Sequence, residues 1–190
     1  MIEIIDNAIS TEKQNTIQRI VESYDFKWTC VDTIEYSSEY LSKYKPNKKQ
    51  FEHHLIIHGK KTSDYSSYIF DTLNLSELGE YKVLKAKVNL NTPYKEKNFI
   101  TPHTDANIDK AKSIIYYAND SDGKTIIYNN IKSSNQNPHF WWKKTKVNPK
   151  KGRMVKFPSN ILHSGNVPNL FDARIVINII LIPSSYEIVV

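Results

Sequence analysis

A single cysteine, Cys30, stands in the 190 residues, so no intrachain disulfide can form. No partner base lies near it in sequence, and the thiol reads as a packed small hydrophobe rather than a nucleophile. Long apolar runs are also missing. The longest, Ile175 to Ile182, is broken by Asn178 and is far too short to cross a bilayer. The N-terminus lacks the succession of basic, apolar and small residues that marks a signal peptide. The expectation is therefore a cytoplasmic protein with no membrane partner. There is no repeat, low-complexity tract or dividing linker, so residues 1–190 are expected to form one domain, with 1–80 as helical and strand support and 81–190 as its core.

Charge of one sign is only mildly in excess. Lys and Arg number 26 against 20 Asp and Glu, a net charge of +6 and a pI near 9.2. The charges are spread along the chain, which reads as a solvated surface. A nucleic-acid partner is possible on this count but not favoured.

Hydrophobic period supplies the elements. Met1 to Ile5 reads as a short strand, followed by a turn and a helix capped by Ser10 or Thr11, with Glu12 against the helix dipole. Ile17, Ile20, Val21 and Tyr24 form its apolar stripe. Ser63 to Leu73 reads as a second helix, with Asp64 near its start. Tyr81 to Asn91 alternates as a strand except for one slip at Leu84. Further strands are expected over Ser113 to Ala118, Lys124 to Tyr128, Met154 to Phe157 and Arg174 to Pro183. Many short strands after two helices indicate a mainly β (α+β) fold: a jelly roll with helices packed on one outer side and a mouth between its sheets.

Several polar residues stand out against this background. His103 and Asp105, in Thr101-Pro102-His103-Thr104-Asp105, lie two apart, which in an extended backbone turns both side chains to one side. His163, between an expected strand and a turn rich in Gly, Asn and Pro, is the candidate third ligand. Two imidazoles and a carboxylate on one face of an ion leave three positions open, the arrangement of non-haem Fe(II) oxygenases. Taken singly, each has an ordinary alternative: a hydrogen-bonded loop histidine, a cap or turn aspartate, a turn histidine. His53, His54 and His58 form a second cluster. As a strand, His54, Ile56 and His58 share a face, but no carboxylate or cysteine nearby completes a metal site, and substrate-facing or exposed imidazoles are the better reading.

His103, Asp105, His163 and Arg174, in that order on a strand-rich chain, resemble the Fe(II) and 2-oxoglutarate-dependent dioxygenases, most closely the prolyl-4-hydroxylase-like branch. The segments between them fall in family order: Ser113 to Asp120, Asp122-Gly123-Lys124-Thr125, and Pro149 to Pro158. The resemblance implies a double-stranded β-helix, Fe(II) on the two histidines and the aspartate, 2-oxoglutarate as cosubstrate and O₂ as oxidant. Substrate hydroxylation would then accompany decarboxylation of 2-oxoglutarate to succinate and CO₂. The substrate class it implies is a protein or peptide side chain such as proline, or a small molecule.

Arg174 opens an apolar strand, where a guanidinium needs an anionic partner. The distal carboxylate of 2-oxoglutarate is one, and a salt bridge to Asp172 or a more distant acid is another. Asn178 lies four residues on, hence on the same strand face. The resemblance also assigns cosubstrate contacts to Tyr117 and Asn89, for which core or cross-strand packing is the alternative. Strand register decides whether Tyr117 or Tyr116 points inward. A second arginine six residues after the first, usual in nucleic-acid repair demethylases, is replaced by Ile180. In Ser133 to Lys151, His139, Phe140, Trp141, Trp142, Lys143 and Lys144 suggest a loop at the cavity mouth that stacks on substrate or packs on the sheet. The other function class open to this sequence is a jelly-roll binding module with a structural or vestigial metal.

Overall fold

The computed structural model of the protein describes residues 1–31, 50–93, 102–128 and 144–188. The aromatic and basic stretch His139 to Lys143 and the mixed segment between Val31 and Gln50 lie outside them. The strands are β1 (Glu3–Ile5), β2 (Thr29–Val31), β3 (Gln50–Ile57), β4 (Lys60–Lys61), β5 (Tyr81–Asn91), β6 (Lys112–Tyr117), β7 (Thr125–Tyr128), β8 (Lys144–Val147), β9 (Met154–Pro158), β10 (His163–Gly165) and β11 (Arg174–Pro183). The helices are α1 (Thr11–Val21) and α2 (Tyr65–Thr72). Eight strands form a major sheet in the order β1-β9-β6-β11-β5-β3-β2, with β4 beside β3, and β10-β7-β8 form a minor sheet. All pairings are antiparallel. This is a jelly roll with two helices on the outer face of its larger sheet.

Strict alternation in β6 and β11 separates two apolar layers. Ile114 and Tyr116 of β6, with Ile175, Ile177 and Ile179 of β11, pack under Ile17 and Val21 of α1 and Ile69 and Phe70 of α2. The intervening residues, Ile115, Tyr117 and Val176, turn the other way and meet Ile127, Val147 and Phe157 between the sheets. Tyr117 is thus the inward tyrosine and Tyr116 belongs to the helix side. Each fully buried aliphatic chain contributes roughly 1.5–3 kcal/mol, and the helix layer closes the back of the major sheet. The inner face of β11 is left with Arg174, Val176, Asn178 and Ile180.

The irregularities have local causes. The slip at Leu84 is a β-bulge: Ile180 pairs Lys85 and Leu181 pairs Val83, so Leu84 is the extra residue, and its carbonyl instead accepts from Gly59 N at 2.9 Å. A second bulge at Leu55 (His54 opposite Lys87, Ile56 opposite Ala86) corrects the shared face expected for His54, Ile56 and His58. Leu55 and Ile56 both pack toward the helices, while His58 leaves the strand with φ 47° in the turn to β4. Tyr24 does not continue the stripe of α1, because the helix ends at Val21 and its side chain is 100% exposed. Tyr68 faces solvent on α2, and Asp64 makes no side-chain capping bond there. Cys30 is exposed on β2 and not packed. Ser10 does cap α1, accepting from Lys13 N at 3.4 Å.

Helix α1 is locked to the sheet at Gly152. Its φ is 78°, its N–H donates to Tyr117 O (3.0 Å), and its carbonyl accepts from Ala8 N (2.9 Å). A Cβ there would lie 2.3 Å from Gln14 Cδ, and Gln14 is buried and donates to Ile9 O at 2.9 Å. Gly152→Ala is expected to destabilise the fold by about 1–3 kcal/mol, through left-handed backbone strain plus displacement of Gln14. Urea denaturation checks it, with the midpoint falling at unchanged slope.

Candidate metal centre

The backbone brings the three candidate ligands together through a contact no sequence spacing reveals. His163 N donates to His103 O at 2.9 Å and His103 N to His163 O at 2.8 Å, an isolated antiparallel bridge joining the Pro102–Asp105 segment to β10. His163, expected between a strand and a turn, itself opens this short strand, paired to Ile127 of β7. Asp105 N and Ala106 N donate to Ser159 O at 3.0 and 3.3 Å, which fixes the aspartate just beyond the bridge.

The donor atoms of His103, Asp105 and His163 all lie within 4.8 Å of one another. His163 Nε2 is 3.6 Å from Asp105 Oδ2 and His103 Nε2 is 3.9 Å from Asp105 Oδ1. Both separations exceed hydrogen-bond range and leave room for an ion between the atoms. Nδ1 of His163 faces the carbonyl of Ile161 at 3.1 Å. A carbonyl only accepts, so Nδ1 carries the proton and Nε2 offers its lone pair to the centre. Phe157 packs edge-on against the same ring with centroids 4.9 Å apart. The Asp105 carboxylate accepts from Ser113 Oγ at 2.5 Å and Asn178 Nδ2 at 3.3 Å. Burial alone would raise its pKa, but the His163 and His103 rings, whenever protonated, and these two hydrogen bonds outweigh burial and hold it below the ordinary value. This is an oriented N, N, O donor set with outer partners on a histidine and on the carboxylate, and it suits a divalent transition metal.

A cavity of about 450 Å³ opens from the three residues between the sheets. Arg174 lies on its wall, 3% exposed, with Nε donating to Gly123 O (2.7 Å) and Nη2 to Thr125 Oγ1 (2.8 Å). It forms no salt bridge among the described residues, and neither Asp172 nor a more distant acid neutralises it there. Burial lowers its pKa, with Tyr117 acting in the opposite direction. The guanidinium carbon is 5.8 Å from the Tyr117 ring centroid, and Tyr117 Oη is 2.6 Å from Thr125 Oγ1. A Cβ on Gly123 would stand 2.5 Å from Asn166 O and 2.8 Å from Arg174 Cδ, so only glycine lets this loop close over the arginine. Asn119 holds the start of β11, donating to Ala173 O (3.0 Å) and accepting from Ile175 N (2.8 Å). Asp122 accepts from Asn169 N and Leu170 N at 2.9 and 3.0 Å and pins the preceding loop.

No family model matches the sequence, and no curated protein is similar to it by sequence. Solved structures are similar in fold. An oxidoreductase of the 2OG-Fe(II) oxygenase family from Burkholderia pseudomallei superposes with a TM-score of 0.64 at 11% identity, covering 95% of this chain and 84% of that one. A prolyl hydroxylase from Trichoplax adhaerens, in complex with a hypoxia inducible factor peptide, gives 0.59 at 18% identity over 98% and 87%. HygX from Streptomyces hygroscopicus, with nickel, 2-oxoglutarate and hygromycin B bound, gives 0.62 at 9% identity over 98% and 84%. The fold is that of the 2-oxoglutarate and Fe(II) oxygenases.

On this oxygenase fold the four remaining candidates divide. Arg174 and Asn178 share the inner face of β11, and Asn178 reaches Asp105 rather than the arginine. Tyr117 is buried beside Arg174 and Thr125. Asn89 lines the cavity on β5, where its Oδ1 accepts from Gln50 Nε2 at 3.2 Å. The second histidine cluster is dispersed. His53 stacks on Phe26 (4.1 Å) with its ring nitrogens 2.7 Å from Lys27 O and from Ser63 Oγ, whereas His54 lines the cavity. Sequence reasoning overlooked Ser113, Thr125, Gln50 and Glu52. Thr125 stood within the Asp122–Thr125 segment, and Glu52 precedes His54 by two on one strand, the signal that would have found it.

Proposed function

We propose that the protein is an Fe(II)- and 2-oxoglutarate-dependent dioxygenase that hydroxylates a substrate C–H bond, with residues 1–190 forming one catalytic domain. Fe(II) and 2-oxoglutarate, when bound, supply the oxidising chemistry, in which O₂ is consumed, 2-oxoglutarate becomes succinate and CO₂, and the substrate gains one oxygen atom. His103, Asp105 and His163 would hold the metal, with the Nδ1–H of His163 kept on Ile161 O so that Nε2 stays free to ligate. Ser113 and Asn178 orient the Asp105 carboxylate. Arg174, with Thr125 and Tyr117 beside it, receives the distal carboxylate of the cosubstrate, and Asn89 lies beside Val176 on the adjoining strand β5.

One observation carries this reading. A buried guanidinium with no carboxylate among its described partners shares a cavity with a His, Asp, His cluster. A buried cation of that kind is costly unless a ligand neutralises it, and its planar donor fork matches a carboxylate. No helix among the described residues is long and apolar enough to cross a membrane.

Anaerobic addition of Fe(II) and 2-oxoglutarate tests the proposal. A weak visible charge-transfer band is expected, absent in His103→Ala, with succinate released once O₂ is admitted. A binding module with a structural metal gives neither the band nor succinate.

A further inference from the structure

The cavity wall continues from β11 across β5 and β3, a stretch that, Asn89 apart, the chemistry above does not use. Gln50, Glu52 and His54 of β3 and Lys85, Lys87 and Asn89 of β5 alternate along adjacent strands and present their side chains to the cavity from one sheet face. Their neighbours His53, Leu55, Ala86 and Val88 turn to the opposite face. Six polar side chains lining the inner face of a jelly roll are unsuited to a hydrocarbon substrate. Glu52 is already engaged: Lys87 Nζ pairs with Oε1, Gln50 Nε2 donates to the same oxygen at 2.7 Å, and His54 Nε2 lies 3.3 Å from Oε2. Burial would raise the Glu52 pKa, but Lys87 and the other partners hold it low, so the carboxylate stays charged. Burial, with Lys85 and Lys87 nearby, lowers the pKa of His54 against the opposing pull of Glu52, so the imidazole is neutral near pH 7. The wall therefore carries two ammonium groups against one carboxylate. No acid among the described residues lies within ion-pair distance of Lys85.

We infer that this wall is the substrate subsite and that it takes a small polar molecule bearing a carboxylate or phosphate, held by Lys85 and Lys87 and hydrogen-bonded by Gln50 or Asn89. The inference rests on the oxygenase reading, since it places this molecule beside the His103, Asp105, His163 cluster while Arg174 takes the cosubstrate. Lys85 and Lys87 project on the same side two residues apart, about 6.4–6.8 Å along an extended strand, a spacing that brackets one anionic group. The cavity volume, about 450 Å³, is that of a small-molecule site and not of a groove for a folded partner.

The test uses the full chain with Mn(II) and saturating 2-oxoglutarate, so that the Arg174 end is filled. Matched pairs are titrated calorimetrically: gluconate against sorbitol, glucose 6-phosphate against glucose, and phenylacetate against phenylacetamide. At least one anion is expected to bind about tenfold more tightly than its neutral mate, the size of one charge-assisted contact. The carboxylate and phosphate arms identify which group the wall prefers. Lys85→Met should remove the preference, Lys85→Arg should keep it, and Glu52→Gln should strengthen anion binding several-fold.

Equal affinity for anion and neutral mate in every pair overturns the inference, as does an unchanged preference in Lys85→Met. Tighter binding of an acidic peptide or an oligonucleotide than of any panel member overturns the small-molecule class. Thermal stabilisation by Mn(II) and 2-oxoglutarate is recorded separately. If that stabilisation is absent the oxygenase reading falls, whereas if it is present without an anion preference only the subsite falls.

Discussion

Asp105→Ala is expected to lower affinity for divalent metal by more than the 10- to 100-fold typical of losing an outer-sphere partner, and to abolish succinate release. The side chain supplies the only carboxylate of the cluster, and its two oxygens face both histidines, at 3.6 and 3.9 Å. Alanine also strands Asn178 Nδ2 and leaves Ser113 Oγ with Ser159 Oγ alone, at 3.1 Å. Ser113→Ala separates these effects. It leaves the three donors in place and removes one hydrogen bond that orients the carboxylate, so metal affinity should fall by about 10- to 100-fold. Titration of each variant with Mn(II), read by electron paramagnetic resonance, checks both. Wild-type affinity in Asp105→Ala would dismiss the aspartate as a ligand.

Arg174→Met should raise the dissociation constant for 2-oxoglutarate by about 100-fold or more, because a buried bidentate charge pair is lost from the ligand side. Metal binding, read without cosubstrate, should change far less, since the arginine touches none of the three ligands. The variant also leaves Gly123 O without its donor and Thr125 Oγ1 with Tyr117 Oη alone, a destabilisation of about 1–3 kcal/mol. Thermal denaturation measures that second effect independently. Arg174→Lys is expected to recover only part of the affinity, because an ammonium cannot serve Gly123 O, Thr125 Oγ1 and a carboxylate with one planar fork. Unchanged 2-oxoglutarate binding in Arg174→Met would assign the guanidinium a purely structural role.

Much of the strand content was legible because alternation leaves a trace in the chain. Tyr81–Asn91 and Arg174–Pro183 coincide with their expected bounds, and even the one irregularity, Leu84, has a physical counterpart in a bulge. Short elements with weak periods were not legible. β10 has three residues and β8 four, too few to show alternation, and each exists because it pairs with β7. The end of α1 was misjudged at Tyr24 because an aromatic at helical spacing looks the same whether or not the helix continues. The absence of a partner base near Cys30 in sequence says nothing of its burial, and β2 leaves the thiol exposed rather than packed.

By itself the chain determined which side chains share a strand face: His103 with Asp105 in extended backbone, Arg174 with Asn178, and Lys85 with Lys87, because a two-residue period is a local property of the backbone. Tertiary structure alone decided which faces meet. The His103–His163 bridge, the closure of Gly123 over Arg174 and the pairing of β3 with β5 join residues 30 to 60 positions apart, and such contacts depend on sheet register and loop closure rather than on any local preference.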